Sequence, residues 1–422
     1  MPRLPLRVYP IVFILLTAGA VRGEGWASFQ NGGKPANDET ALASIDWSGG
    51  EDSAAPTAWE SALVGYGQSS PVTDGKTVYV TSVSGDKKEQ LHLQAFDLST
   101  GEELWRREAA NSTPEPNNSY VSRAAPTPVC DEAGVVAMFE GGNLIAYTPS
   151  GDERWTRDLV SDYGKISARH GLAASLEQDE LHVFAWVERQ DDPYVVAIDK
   201  SSGGVVWRSP GIGATSWSSP RLVPVGDAEH LVLSAIGTVA GYDPQSGERL
   251  WTLEGVSGNS SATPAPLGDG RFLIGAMGGG GESDAVAQGS SNGVVEITEL
   301  ADGRFQADYL WRAKRATTSF GSPIAYGGHA YFVNRSGVVY CVDTATGDEK
   351  YAKRLPSSIW ATPVASGENV YFLGKDGSVA VVKSGPSFEL LAEGALWPGA
   401  GAAAGGGGPP GGGGPILYAA AI

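Results

Sequence analysis

Seven times along this chain an apolar run gives way to a polar turn and then to a second run of fixed length. The clearest copy is LQAFDLSTGEELW, which ends at Trp105. LIAYTPSGDERW ends at Trp155, VVAIDKSSGGVVW at Trp207 and VAGYDPQSGERLW at Trp251. A blurred copy ends at Trp311, a sixth puts Tyr351 at the tryptophan position, and the most decayed ends near Leu391. Each reads as a β-hairpin. In the first copy Asp97 and Thr100 can hydrogen-bond nearby backbone, and Gly101 can take a positive φ without steric cost. From Trp105 onward the copies lie 50, 52, 44, 60, 40 and 40 residues apart. Trp59 precedes Trp105 and can belong to the outer strand of an earlier unit. A period of this size, with room for four strands, is the signature of a propeller blade.

The rest of each unit agrees. A Ser/Thr-Pro element opens it: SSPV (69–72), PTPV (126–129), SSPR (218–221), ATPA (262–265), GSPI (321–324) and ATPV (361–364). An apolar run such as VYV (78–80) or LVLS (231–234) follows. No helix-period pattern appears after residue 25, so the chain is expected to be all-β with almost no helix. The 58 glycines and 26 prolines fit a chain with many tight turns. With 48 acidic against 30 basic residues and a net charge of −18, the chain lacks the basic footprint of a nucleic-acid binder.

An alternating strand followed by Asp-x-x-(Ser/Thr)-Gly-x-x-x-Trp, as at Asp97–Trp105, Asp199–Trp207 and Asp243–Trp251, resembles the pyrroloquinoline quinone (PQQ)-type propeller repeat. That quinoprotein-like family includes quinoprotein dehydrogenases and BamB-like secreted propellers. The resemblance implies a PQQ-repeat β-propeller, nominally eight-bladed with an incomplete last blade, or alternatively seven-bladed. It also implies innermost Ser/Thr-Pro strands, outermost tryptophan strands, and tryptophans that cement neighbouring blades. For the dehydrogenases it implies adjacent cysteines against the cofactor, Glu and Asn ligands for calcium, and an Asp base. Here the two cysteines, Cys130 and Cys341, lie far apart in sequence and read as small buried hydrophobes. No cofactor is therefore expected, PQQ included, and no metal. The histidines show no paired metal spacing, and His182 and His230 read as surface or edge residues.

Several segments fall outside the repeats. Arg3 and Arg7, the apolar Ile11–Leu16 and Ala18-Gly19-Ala20 have the form of a cleaved signal peptide over residues 1–20, placing the chain in the periplasm or outside the cell. Its apolar run is too short to span a membrane. Residues 21–58 read as an irregular lead-in that packs on the propeller, and 59–393 as the repeats. The long connection Met277–Gly293 reads as mobile. Residues 394–415, rich in Gly, Ala and Pro, read as a flexible segment. Residues 416–422 could return as a last inner strand, with Trp59 on the outer strand of the same blade.

The candidate site follows from position in the repeat. Three residues before the proline of each Ser/Thr-Pro element stand Gln68, Ala125, Trp217, Ser261, Phe320 and Trp360. With Tyr66, Tyr120, Arg123, Arg169 and His170 nearby, an aromatic set with two arginines is expected at one mouth of the channel. It would suit a planar or saccharide ligand, or an acidic peptide. The expected function is a non-enzymatic extracytoplasmic module that binds a small molecule or scaffolds a protein partner. The alternative is a quinoprotein-like oxidoreductase.

Overall fold

In the computed structural model, the described residues are 11–14, 25–35, 58–116, 122–168, 170–189, 191–213, 217–277, 291–397 and 420–421. They form seven four-stranded antiparallel sheets, each a meander in chain order. Blade 1 spans residues 72–110, blade 2 129–158, blade 3 177–210 and blade 4 221–256. Blades 5, 6 and 7 span 265–312, 324–354 and 364–395. The first strands of blades 1 and 2 touch, as do those of blades 3 to 6 in succession, so these strands line the axis. The second and third strands are sandwiched between neighbouring blades and buried on both faces. His182–Val187, for example, is buried at every position. One α-helix occurs among the described residues, Leu159–Tyr163, capped by the Asp158 carboxylate.

The repeated hairpin turn is built as its residues dictate. Asp97 Oδ1 accepts the backbone N–H groups of Ser99 and Thr100, both at 2.9 Å, and the Gly101 N–H returns to the Asp97 carbonyl at 2.8 Å. Asp199, Asp243 and Asp343 repeat the arrangement.

Five of the hairpin turns also dock the preceding unit's tryptophan. Trp155 Nε1 donates to the Lys200 carbonyl at 2.9 Å, and Gly203 lies against its ring. Trp105 docks likewise on Pro149 O and Gly151, Trp207 on Pro244 O and Gly247, and Trp311 on Thr344 O and Gly347. Trp59 does the same on blade 1, through Leu98 O and Gly101. The residue two beyond the tryptophan often completes the clamp, as Ser61, Arg107, Arg157 and Ser209 donate to the turn glycine's carbonyl. Blade 4 departs from this. Trp251 turns into its own sheet and donates to His230 Nδ1 at 3.0 Å.

The Ser/Thr-Pro elements join the blades on the axial side. The backbone N–H of Ser70 donates to Thr127 Oγ1, that of Thr127 to Ser175 Oγ, and that of Ser175 to Ser219 Oγ. The belt continues from Ser219 to Thr263, Thr263 to Ser322 and Ser322 to Thr362, every link being 2.9–3.0 Å. Blade 3 contributes Ser175 without a following proline.

Trp59–Ala62 pairs antiparallel with Ile11–Ile14, inside the segment read as a signal peptide. Trp59 thus sits where the outer strand of a unit before blade 1 belongs. Ala420 and Ala421 are not in a strand but pack with Trp26, Val364 and Leu396 beside blade 7. The rest of the expected last inner strand, most of the Met277–Gly293 connection and most of the Gly/Ala/Pro-rich segment lie outside the described residues. The reading of His182 and His230 as surface residues is corrected: both are buried, because strands covered on two faces bury both sets of alternating side chains.

Candidate functional site at the channel mouth

Residues 25–35 run across the axial face of the ring. The Trp26 carbonyl accepts the Thr73 N–H of blade 1 at 2.9 Å, and the Ala27 carbonyl accepts the Cys130 N–H of blade 2 at 2.9 Å. Arg221 of blade 4 reaches back through Nη2 to the Phe29 carbonyl at 3.0 Å and to Gln30 Oε1 at 3.2 Å. Gln30 Nε2 donates to Thr362 Oγ1 of blade 7 at 2.9 Å, joining this segment to the end of the hydroxyl belt. Gln30 and Asn31 take positive φ values of 55° and 50° before Gly32 and Gly33, a sparsely populated conformation for side-chain-bearing residues. The segment is a plug tied to blades at opposite sides of the ring.

Arg221 is the deepest tie. It is 1% exposed and pairs with Glu177 of blade 3 at 3.2 Å. Burial pushes the Glu177 carboxyl up, and Arg221 opposes that shift. The plug carbonyl and the Gln30 side chain share the hydrogen-bonding needs of the guanidinium, as a buried charge requires.

The sequence-derived site residues fall into three contacts. Phe320 and Trp360 meet with ring centroids 4.9 Å apart. Together with Trp26, Phe29 and Lys34 of the plug, they line a cavity of about 100 Å³. Lys375 Nζ lies 4.6 Å from the Trp360 ring centroid. His170 and Trp217 form a second contact, centroids 6.0 Å apart. Tyr66, Gln68 and Arg123 form the third. The Arg123 guanidinium lies 4.9 Å from the Tyr66 ring, and Gln68 Oε1 accepts the Arg123 N–H at 3.0 Å. Burial raises the Tyr66 phenol, against the pull of Arg123. Of the named set, only Phe320 and Trp360 line the cavity with the plug. Tyr120 and Arg169 lie outside the described residues.

A second cavity, of about 120 Å³, is polar and holds the buried pair Lys88–Glu140 at 3.0 Å. Lys88 also donates to the Ser122 carbonyl, and Glu140 Oε2 accepts the Ala124 N–H. The two charges satisfy one another and the connection between blades 1 and 2.

Residues 25–35 fall in the segment read as a lead-in packing on the propeller; their path across the axial face, the hydroxyl belt and the role of Ser175 carry no sequence signal. The W-x-Ser/Arg pattern, at Trp59–Ser61, Trp105–Arg107, Trp155–Arg157 and Trp207–Ser209, is a signal that could have marked the docked tryptophans in advance.

The profile of the family described as outer membrane protein assembly factor BamB matches residues 38–171 and 148–385, most of the chain. This chain belongs to the BamB family. Among solved structures, BamB from Moraxella catarrhalis is similar at 13% identity and a TM-score of 0.53, over 76% of this chain and 85% of that one. Quinohemoprotein alcohol dehydrogenase from Comamonas testosteroni is similar at 11% identity and a TM-score of 0.56, over 90% and 74%. A europium-containing methanol dehydrogenase is similar at 12% identity and a TM-score of 0.50, over 78% and 77%. At these identities the likeness is one of fold. No curated protein matches the chain.

The adjacent cysteines that the wider PQQ-repeat resemblance implies are not matched by this chain's two, which lie in different blades. Cys130 lies in the first strand of blade 2 and Cys341 in the third strand of blade 6, both buried and free. Burial pushes the Cys341 thiol up to about 12 and the Cys130 thiol higher, the opposite of an activated thiolate. Among the described residues, no three His, Cys, Asp or Glu side chains come together as a ligand cluster. No helix among them is long and apolar enough to cross a membrane.

Proposed function

We propose that this protein is a non-enzymatic, extracytoplasmic scaffold that holds a protein partner at the channel mouth, and that it works without PQQ or a metal. The observation that carries this reading is the plug. Residues 25–35 take up inner-strand hydrogen bonds of blades 1 and 2 and the Arg221 guanidinium of blade 4. A molecule approaching the axis from this face meets the plug and the Phe320–Trp360 pair, with Phe320 42% exposed. Membership of a family described as an outer membrane assembly factor supports a protein partner outside the cytoplasm.

Two measurements test this. Titration of the purified protein with PQQ and calcium should give neither uptake nor dye-linked alcohol or sugar oxidation; stoichiometric uptake with activity would establish the quinoprotein reading instead. A photo-crosslinking residue at Phe320, expressed in the native host, should trap a discrete protein adduct. The same group at Leu104, an exposed position on the outer strand of blade 1, should not. Equal labelling at both positions, or none at Phe320, would rule out the mouth as the partner surface.

A further inference from the structure

We infer that the mouth cavity receives one apolar side chain from an acidic peptide segment of the partner. This rests on the scaffolding reading and gives the partner a chemistry. The cavity is too small for a drug-sized or oligosaccharide ligand, which needs several hundred Å³. About 100 Å³ matches a single aliphatic or aromatic side chain, and the walls suit one: Trp26, Phe29, Phe320 and Trp360 present ring surfaces, with Pro323 and Val364 beside them.

The polar groups in the wall argue against a sugar. Gln30 is engaged at both ends, by Arg221 and by Thr362. Thr362 Oγ1 already accepts from both Gln30 and the Ser322 N–H. A ring of sugar hydroxyls would find few partners there. Trp26 Nε1 is buried without a hydrogen-bond partner, on a residue 3% exposed that lines the cavity. A buried indole N–H without an acceptor is costly, and an incoming carbonyl or carboxylate oxygen would satisfy it.

Charge selects the flanks of the anchor. The chain carries 48 acidic residues, yet no carboxylate is among the described residues that line this cavity. Two lysines stand at it: Lys34 in the wall and Lys375 over Trp360. An acidic stretch bearing one large apolar residue meets all these features at once. The aromatic residue enters the cavity, its neighbouring carboxylates face the two lysines, and one main-chain oxygen accepts from Trp26.

The test is fluorescence anisotropy on the full chain with a labelled Asp-Glu-Phe-Glu-Asp peptide. Two control peptides replace Phe by Ser, or the four acids by Lys. Saturable binding of the acidic Phe peptide is expected, with each control about tenfold weaker or worse, as removal of a central anchor does. Lys375→Glu should weaken binding by about tenfold through local charge reversal, with an unchanged melting curve. Trp360→Ala should abolish it. Equal affinity for the Ser peptide, no effect of Lys375→Glu, or no binding at all would overturn the inference. If the peptide fails while Phe320 still traps a partner, the acidic-anchor chemistry is wrong and the scaffolding reading stands. If the peptide binds only a chain lacking residues 415–422, the cavity belongs to this chain's own tail, next to Ala420, and the inference is likewise overturned.

Discussion

The backbone N–H of Ser219 donates to Thr263 Oγ1, 2.9 Å away in the next blade, and both residues are buried. The bond is one of six that tie the seven blades in sequence on the axial side. Thr263→Val keeps the shape but removes the acceptor, leaving a buried N–H unpaired. A loss of about 1–3 kcal/mol is expected by denaturant unfolding, with Thr263→Ser close to wild type. Equal stability of the Val and Ser variants would show that the belt is incidental.

Gly203 separates two costs. Its φ of 71° is strained for any other residue, and a Cβ there would lie 2.6 Å from the Trp155 ring. Gly303, with φ 79°, has nothing within 4 Å of that position. Gly303→Ala should cost about 1–2 kcal/mol from the left-handed backbone alone. Gly203→Ala should cost clearly more, because the indole must also leave its dock. Matching melting shifts for the two variants would rule out docking as a separate contribution.

Arg221 ties the plug to blades 3 and 4. Arg221→Met leaves Glu177 buried and unpaired, at an expected cost of about 3–5 kcal/mol, whereas replacing both Arg221 and Glu177 by apolar residues should restore much of it. Hydrogen exchange separates the ring from the plug. In the double variant the amides of residues 25–35 should exchange faster while those of the blades stay protected. Unchanged protection of residues 25–35 would show that Arg221 does not hold the plug.

The turn aspartates make the fold acid-sensitive. The hydroxyls of Ser201 and Ser202, with their backbone N–H groups, hold the Asp199 carboxyl down at about 2, and Asp97 and Asp343 are also lowered. A carboxyl depressed on folding stabilises above its unfolded value, here 3.8, and that contribution disappears as pH falls through about 2. Thermal melts between pH 5 and 2 should drop along this window, and Asp199→Asn should flatten the drop. An unchanged profile would show that the turn does not sense protonation.

Trp251 and His230 respond to pH in a different range. The indole donates to Nδ1, so it requires the unprotonated ring, and burial lowers the imidazole below its usual 6.5. Stability from this pair should therefore be present above 6.5 and decline as pH drops below it. His230→Phe should remove that slope while keeping the edge contact with Phe305, whose ring centroid is 4.5 Å away. A wild-type slope in the variant would place the titration elsewhere.

The blades were legible because their signals are local. Asp97 and Gly101 make a turn within five residues, and Trp105 marks the strand that follows. The contacts that organise the mouth are not local. Arg221 meets Gln30 across 191 residues, and Gln30 meets Thr362 across 332, with no spacing rule to join them. Ser175 escaped because its proline is missing, although its hydroxyl keeps the place in the belt. His182 and His230 were misplaced because period-two alternation loses its meaning where neighbouring blades cover both faces of a strand. Phe320 and Trp360 were found by their place in the repeat. Sequence gave no sign that plug residues would complete the cavity around them.

The tryptophan dock has a consequence for how such a chain can change length. Blades 1, 2, 3 and 5 each carry a docking tryptophan on the last strand, and blades 1, 2, 3, 4 and 6 each carry a socket in the hairpin; the two serve different neighbours. Copying or deleting one whole unit among blades 1–3 therefore leaves each remaining tryptophan there facing a socket. Blade number can drift by duplication without a new interface being invented. The mismatch at Trp251, which has turned into its own sheet, marks a joint that such a drift would find easiest to replace.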